Sequence, residues 1–341
     1  MKRLPVEDLE HIYQNTQDIW ESFRGKSIFV TGGTGFFGKW ILNSFIYINQ
    51  KLELNAKLIV LTRNKNAFYE LFPDLLDRKD VLFIQGDVST FDFPAEKIDY
   101  IIHAATEASV KLNLESPLVM FNTVVNGTKR ILDLAVIKNV KSLLFTSSGA
   151  VYGNQPDFIS HIEENYNGAP ELTNSSSVYG EAKRMAEVLC SVYYEHNNIA
   201  VKIARCFAFV GPYLPLDSNF AIGNFIHNVL KKEDIIIKGD GSSLRSYMYA
   251  SDLTVWIWII LLKGESNLPY NIGSDLSISI KELALLIKSC TNSENLNIKI
   301  TDTEKKSNKY VPSIYRAKNS LNLTMGVDLE TAILKTVDFY S

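Results

Sequence analysis

Cysteine is scarce. Cys190, Cys206 and Cys290 stand far apart in 341 residues, with no Cys-x-x-Cys spacing. That argues against a disulfide framework or a cysteine zinc site, and points to a reduced, cytoplasmic setting. Histidine is as sparse: five residues, scattered, with no His-Glu-x-x-His arrangement, so no metal site is expected. The longest apolar run, Leu253 to Leu262, is too short to span a bilayer and reads as a buried helix. The N-terminal MKRLPVEDLEHIYQ lacks the apolar core of a secretory signal. Neither sign of charge dominates: 35 Lys and Arg face 38 Asp and Glu, for a net charge of -3. Neither a nucleic-acid partner nor a membrane surface is expected. No internal repeat is evident.

What is present is an ordinary globular balance, 46% hydrophobic and 21% charged. The length allows a large core, in one two-lobed domain or two smaller ones. Residues 5–23 read as one amphipathic helix, with Leu9, Ile12, Thr16, Ile19, Trp20 and Phe23 at three- and four-residue steps, docked on the body. Apolar strands at Ser27–Thr31, Leu58–Leu61, Val81–Ile84, Tyr100–His103, Ser142–Thr146 and Val201–Ala204 alternate with helices at Phe37–Ile48, 117–138 and Val178–His196. Such alternation predicts an α/β fold, a Rossmann-type doubly wound parallel sheet covered on both faces. After Pro212 the pattern turns irregular. Helices near 219–231, 251–263, 279–290 and 328–340 mix with short strands at Ile235–Lys238 and Tyr270–Ile272. The expected organisation is an N-terminal helical extension (1–24), a dinucleotide-binding domain (25–212) and a smaller α/β substrate lobe (213–341). Part of 235–275 is expected to return to the main sheet. The polar stretch Asn292–Lys309 is expected to be exposed.

Between the first strand and first helix, Thr-Gly-Gly-Thr-Gly-Phe-Phe-Gly places glycines at 32, 35 and 38. Gly32 permits a tight turn, Gly35 lets a pyrophosphate approach the backbone, and Gly38 allows close helix–strand packing. The second strand ends in Thr62-Arg63, not in the acid that commonly binds a ribose 2′-hydroxyl; an arginine there suits a 2′-phosphate and leans toward NADP over NAD. Asp87, in Gly-Asp-Val, stands where it can accept from an adenine amine. Ala104 and Ala105, after His103, are small enough for close cofactor approach.

Tyr179 and Lys183 are four residues apart and share a helix face. A tyrosine, with a pKa near 10, is a poor base at neutral pH. A nearby ammonium and a positively charged nicotinamide favour the phenolate, so Tyr179 can exchange a proton while hydride passes. Thr146, Ser147 and Ser148 close an intervening strand. With this context the chain resembles the extended short-chain dehydrogenase/reductase family of NAD(P)-dependent nucleotide-sugar epimerases, dehydratases and reductases. The resemblance covers nearly the whole chain from residue 25. It rests on TGGTGFFG, GDV, HAA, Asn126-Gly-Thr128, TSSGAVYG, YGEAK, Arg205…Val210-Gly-Pro212, GDGSSLRSYMYASDL and YNIGS.

The resemblance implies Tyr179 as acid/base, Lys183 as its partner and a ligand of the nicotinamide ribose, and Ser148, with Ser147 second, at the reacting oxygen. It puts Phe36, Phe37, Val88, Asn122 and Ser147 at the cofactor beside the residues above, with Asn126 supporting that region. Arg245 would grip the nucleotide diphosphate, and Asn219 and Asn224 would line the sugar pocket. It also implies a homodimer through the two long helices. Two departures matter. Related 4,6-dehydratases carry Asp-Glu where this chain has Gly149-Ala150, which offers no proton-transferring side chain. Many relatives carry a substrate-contacting Asn where Ala208 stands. The implied activity is hydride transfer at C4 of a nucleotide sugar, with epimerisation first. The alternatives are 4-keto reduction, 4,6-dehydration, and a non-catalytic nucleotide-binding regulator.

Overall fold

The computed structural model describes residues 2–105, 115–217, 220–302 and 308–341. Helix α1 (Val6–Gln14) is followed by a 3-10 segment, Gln17–Phe23, where the sequence predicts one continuous helix. The break has a local cause. Asn15 and Thr16 turn back to donate to the His11 and Ile12 carbonyls, and Thr16 Oγ1 then accepts from Trp20 Nε1 at 2.8 Å. The extension is docked. Trp20 packs on Trp258 with centroids 4.9 Å apart, and the buried Asp8 accepts from Tyr249 and Lys335 at 2.7 and 2.6 Å. His11 meets the buried Asp252 at 2.8 Å.

The body runs β1 (Ser27–Thr31), α2 (Phe36–Lys51), β2 (Lys57–Thr62), α3 (Lys65–Leu71), β3 (Val81–Gln85) and β4 (Tyr100–His103). It continues through α4 (Pro117–Lys138), β5 (Ser142–Ser148), α5 (Val178–Asn197), β6 (Val201–Cys206) and β7 (Phe209–Val210). Helix α3 lies where the sequence pattern predicts no helix; Asn64 caps it by accepting from Ala67 N. Next come α6 (Ala221–Lys231), β8 (Ile235–Ile237), β9 (Leu244–Arg245), β10 (Met248–Tyr249), α7 (Ala250–Lys263), β11 (Pro269–Ile272) and β12 (Ile278–Ser279). Last are α8 (Ile280–Cys290), β13 (Ile298–Ile300), β14 (Lys309–Tyr310), α9 (Tyr315–Leu321) and α10 (Leu329–Tyr340).

Seven strands form one parallel sheet in the order β11-β6-β5-β4-β1-β2-β3. Strand faces alternate between two apolar layers. Ile28, Val30, Leu58 and Val60 join the layer with α2 and α7, whereas Phe29, Ile59, Ile101 and Leu143 join the one with α4 and α5. The order reverses between β1 and β4, so the crevice at their carboxyl ends is the expected ligand site of such a sheet. Strand β11 returns to the main sheet beside β6, and short strands β9, β12 and β14 form a separate three-stranded sheet. The exposed loop expected over 292–309 is only partly one: β13 pairs with β8 and β14 with β9. Among the described residues, no helix is long and apolar enough to cross a membrane.

Candidate active site

The glycine loop lies at the crevice. Gly32 has φ of +70°, and a Cβ there would stand 2.4 Å from the Ala104 carbonyl oxygen. A Cβ at Gly38 would meet Gly32 O at 2.2 Å, so α2 packs on the loop only because position 38 is glycine. At Gly35 a Cβ would meet only Gly32 O, at 3.3 Å, which leaves the outer side open. Gly35 is also the N-cap of α2 and supplies no capping side chain, so the first-turn amides are available to an anion. This cradle fits the pyrophosphate of a dinucleotide. Phe36 and Phe37 begin α2, with Phe37 edge-on to Phe209.

Thr31 ties the two strands at the reversal: its Oγ1 meets His103 Nδ1 at 2.7 Å and accepts from Ala105 N at 3.0 Å. His103 Nε2 meets Thr128 Oγ1 at 3.1 Å, and burial with Lys183 nearby pushes the imidazole down to about 3. His103 is thus a neutral structural link. Arg63 is exposed just after β2. Asp87 accepts from Ser89, and its carboxyl is held below the usual range by Ser89 first and by Arg63 as a further cause. Val88 is buried where α4 comes close; a Cβ at Gly127 would stand 2.8 Å from its Cγ1. Asn122 and Asn126 lie on exposed turns of α4.

The three hydroxyls ending β5 have three destinations. Thr146 Oγ1 donates to the His103 carbonyl at 3.1 Å. Ser147 Oγ donates to Glu187, which is clamped by Arg205 through Nε and Nη2 at 3.0 and 2.7 Å. The Ser147 side chain is therefore committed to α5. Ser148 Oγ accepts from Ala150 N at 3.1 Å and lies close enough to the Tyr179 phenol to act on it. Burial pushes that phenol up to about 12, with Ser148 acting the other way. Lys183, 1% exposed, donates from Nζ to the Thr146 carbonyl at 2.6 Å, and burial pulls its ammonium down to about 8. The sheet end and α5 thus bring Ser148, Tyr179 and Lys183 together.

The space beside Gly149 is filled. A Cβ there would meet the Tyr310 hydroxyl at 2.6 Å and the Phe207 ring at 2.7 Å. The Phe207 and Tyr310 rings stand 4.6 Å apart, and Ser148, the neighbour of Gly149 in the chain, is among the groups that act on the Tyr310 phenol. Tyr310 reaches the site from β14, where it is in register with Arg245 of β9. Arg245 itself donates to Asn308 through Nη1 and Nη2 at 3.1 and 2.6 Å. Asn224 is half-buried in the first turns of α6, and Asn219 lies outside the described residues. Sequence reasoning missed Tyr310, Phe207 and Glu187. Only Glu187 carried a signal, four residues beyond Lys183 on the same helix face.

The sequence profile of the NAD dependent epimerase/dehydratase family matches residues 28–273. The chain is 30% identical over 325 residues to UDP-glucuronic acid decarboxylase 2 of Arabidopsis thaliana, covering 93% of this chain and 68% of that protein. Its fold is similar to UDP-glucose 4-epimerase of Thermotoga maritima, solved with UDP-glucose, at TM-score 0.80 and 24% identity over 92% of this chain and 98% of that one. The Thermus thermophilus UDP-glucose 4-epimerase, solved with NAD, aligns at TM-score 0.78 and 22% identity with the same coverage, 92% and 98%.

Proposed function

The chain belongs to the NAD-dependent epimerase/dehydratase family, and from that premise we propose that it epimerises a nucleotide-diphosphate sugar by hydride transfer at C4. The observation that carries this reading is the convergence of Ser148, Tyr179 and Lys183 beside a position, Gly149, whose space is closed to a carboxylate by Tyr310 and Phe207. Tyr179 exchanges the proton of the C4 oxygen, and Ser148 donates a hydrogen bond to that oxygen. Lys183 holds a positive charge behind the phenol and reaches the nicotinamide ribose. The bound dinucleotide supplies the hydride acceptor and donor. Gly32, Gly35, Phe36, Phe37 and Gly38 hold its pyrophosphate, Asp87 and Val88 its adenine, and Ala104, Ala105, Asn122 and Ser147 line its path. Arg245 binds the nucleotide diphosphate, with Asn219 and Asn224 at the sugar. Water elimination by the usual acid pair has no side chain to perform it at Gly149-Ala150.

The end of β2 offers Arg63 and no carboxylate, which supports NADP over NAD. Met185, Val188 and Val192 form an exposed apolar stripe on α5, and Leu118 and Ile137 near the two ends of α4 are exposed too, which supports a homodimer through these helices. Three free cysteines support a reducing, cytoplasmic setting.

A second reading has its own support. The Arabidopsis relative is named a UDP-glucuronic acid decarboxylase. A uronic acid oxidised at C4 is a β-keto acid, which loses carbon dioxide without an acid pair at 149–150.

The test is mass spectrometry and stereochemical analysis after incubating the cofactor-loaded protein with nucleotide hexoses, 4-keto sugars and uronic acids. Unchanged mass with inversion at C4 supports epimerisation. Loss of carbon dioxide selects the second reading, loss of water overturns both, and a gain of two hydrogens selects a reductase. Tyr179→Phe should retain cofactor and lose turnover by orders of magnitude.

A further inference from the structure

Tyr310 is absent from the family motifs quoted above, yet its hydroxyl occupies the space that Gly149 leaves open, 2.6 Å from where a Cβ would stand. Two constraints fix it there. Its ring packs on Phe207 at 4.6 Å, and its backbone pairs with Arg245 across β9 and β14. The neighbouring Lys309 donates to the Asp157 and Ile159 carbonyls, both at 3.2 Å, which fastens β14 to the loop after Gly149. The groups that act on its phenol are Ser148, Tyr179, Cys206 and Arg245.

The Tyr310 hydroxyl thus stands at Gly149, the residue next to Ser148, and Ser148 also acts on the Tyr179 phenol. A serine hydroxyl has one proton and two acceptor sites. One acceptor site is taken by Ala150 N–H at 3.1 Å. We propose that Tyr310 is a positioning residue of the hydride-transfer site: its hydroxyl donates to the second acceptor site of Ser148, so that the single Ser148 proton points at the oxygen shared with Tyr179. Chained hydrogen bonds of this kind strengthen one another in a buried site. The inference rests on the proposed roles of Tyr179 and Ser148. It adds that a phenol from the C-terminal lobe completes the set only when that lobe is seated on the sheet.

The test is Tyr310→Phe, which keeps the ring on Phe207 and removes only the oxygen. Once a turned-over nucleotide sugar is known, kcat should fall about tenfold, the worth of one well-placed hydrogen bond, with KM nearly unchanged. A phenolate at Tyr179 loses an aimed donor, so the rising limb of the kcat–pH profile should move to higher pH. Ser148→Ala with Tyr310→Phe should be no slower than Ser148→Ala alone, because Tyr310 acts through Ser148. A readout independent of turnover is ultraviolet titration of tyrosine in the cofactor-loaded protein. The step that disappears in Tyr179→Phe should shift upward in Tyr310→Phe. If Tyr179→Phe abolishes turnover while Tyr310→Phe leaves kcat and both titrations unchanged, the inference is wrong and the site reading stands. Additive losses in the double variant, or a rise in KM alone, also overturn it. If Tyr179→Phe keeps full turnover, the site reading itself falls.

Discussion

Lys183 gives a pH dependence of stability whose sign and size follow from its surroundings. Its side chain is 1% exposed, with Nζ 2.6 Å from the Thr146 carbonyl and 4.7 Å from the Phe145 ring centre. Burial pulls the ammonium down to about 8, against smaller upward pulls from Cys206, Glu187 and Cys190. An unfolded lysine titrates near 10.4. From about pH 8 to about pH 10 the unfolded chain holds at Lys183 a proton that the folded chain has released, so the Lys183 contribution to stability rises with pH in that window. At about 1.4 kcal/mol per unit, roughly two units give on the order of 2–3 kcal/mol. A chain of 341 residues has an unfolding entropy of about 0.7 kcal/mol/K, so the Lys183 contribution is worth about 3–4 °C in Tm. The buried thiols of Cys190 and Cys206, which burial pushes up, keep protons that free thiols lose in the same range, and they work against this gain in wild type and variant alike. Tyr152 and Tyr179, pushed up to about 12 mainly by burial, stay protonated in the fold when free tyrosines have ionised. The assay is thermal unfolding of cofactor-free wild type and Lys183→Met in small steps across the window. Wild type should gain on the variant as pH rises from about 7.5 to about 9.5. A constant difference, or one that shrinks, would refute the burial of an ionisable lysine at this position.

Gly149→Asp should lower the unfolding free energy by about 1–3 kcal/mol through collision with Tyr310 and Phe207, and should produce no water-loss product; a stable variant that dehydrates a nucleotide hexose contradicts the packing at this site. Arg63→Asp should weaken NADP binding and strengthen NAD binding, reversing the preference by at least about tenfold in fluorescence titration; an unchanged ratio removes Arg63 from cofactor choice. Met185→Asp combined with Val188→Asp puts two carboxylates on the exposed stripe of α5 and should yield monomers by light scattering at micromolar concentration, whereas an unchanged dimer places the interface elsewhere.

The sheet was legible because parallel strands buried on both faces read as short continuous apolar runs. Ile28-Phe29-Val30 and Leu143-Leu144-Phe145 are such runs, and all six side chains are buried. The loop at 32–38 was legible because close approach demands glycine, and the Tyr179–Lys183 pair because a helix fixes their common face. Two-residue strands such as β9 and β14 have no period to detect, so the sheet that carries Arg245 and Tyr310 was invisible. Equivalent letters also hid unlike roles. Ser147 and Ser148 are adjacent and both buried, yet strand alternation sends one to Glu187 and the other to the phenols.

Gly149 marks the deeper reason that local patterns stop short. In sequence it reads as a missing acid, a loss measured against the dehydratases the chain resembles. In the fold its missing side chain is room, and a phenol from a strand more than a hundred residues away fills it. Absence of a carboxylate and presence of the Tyr310 hydroxyl are then one feature, since any Cβ at 149 would displace that hydroxyl or the Phe207 ring. The two positions should be coupled. Enlarging residue 149 and deleting the Tyr310 hydroxyl should each disturb the Ser148 donor, and the double change should cost less than the sum of the two. A strictly additive outcome would mean that the two positions share space without sharing a function.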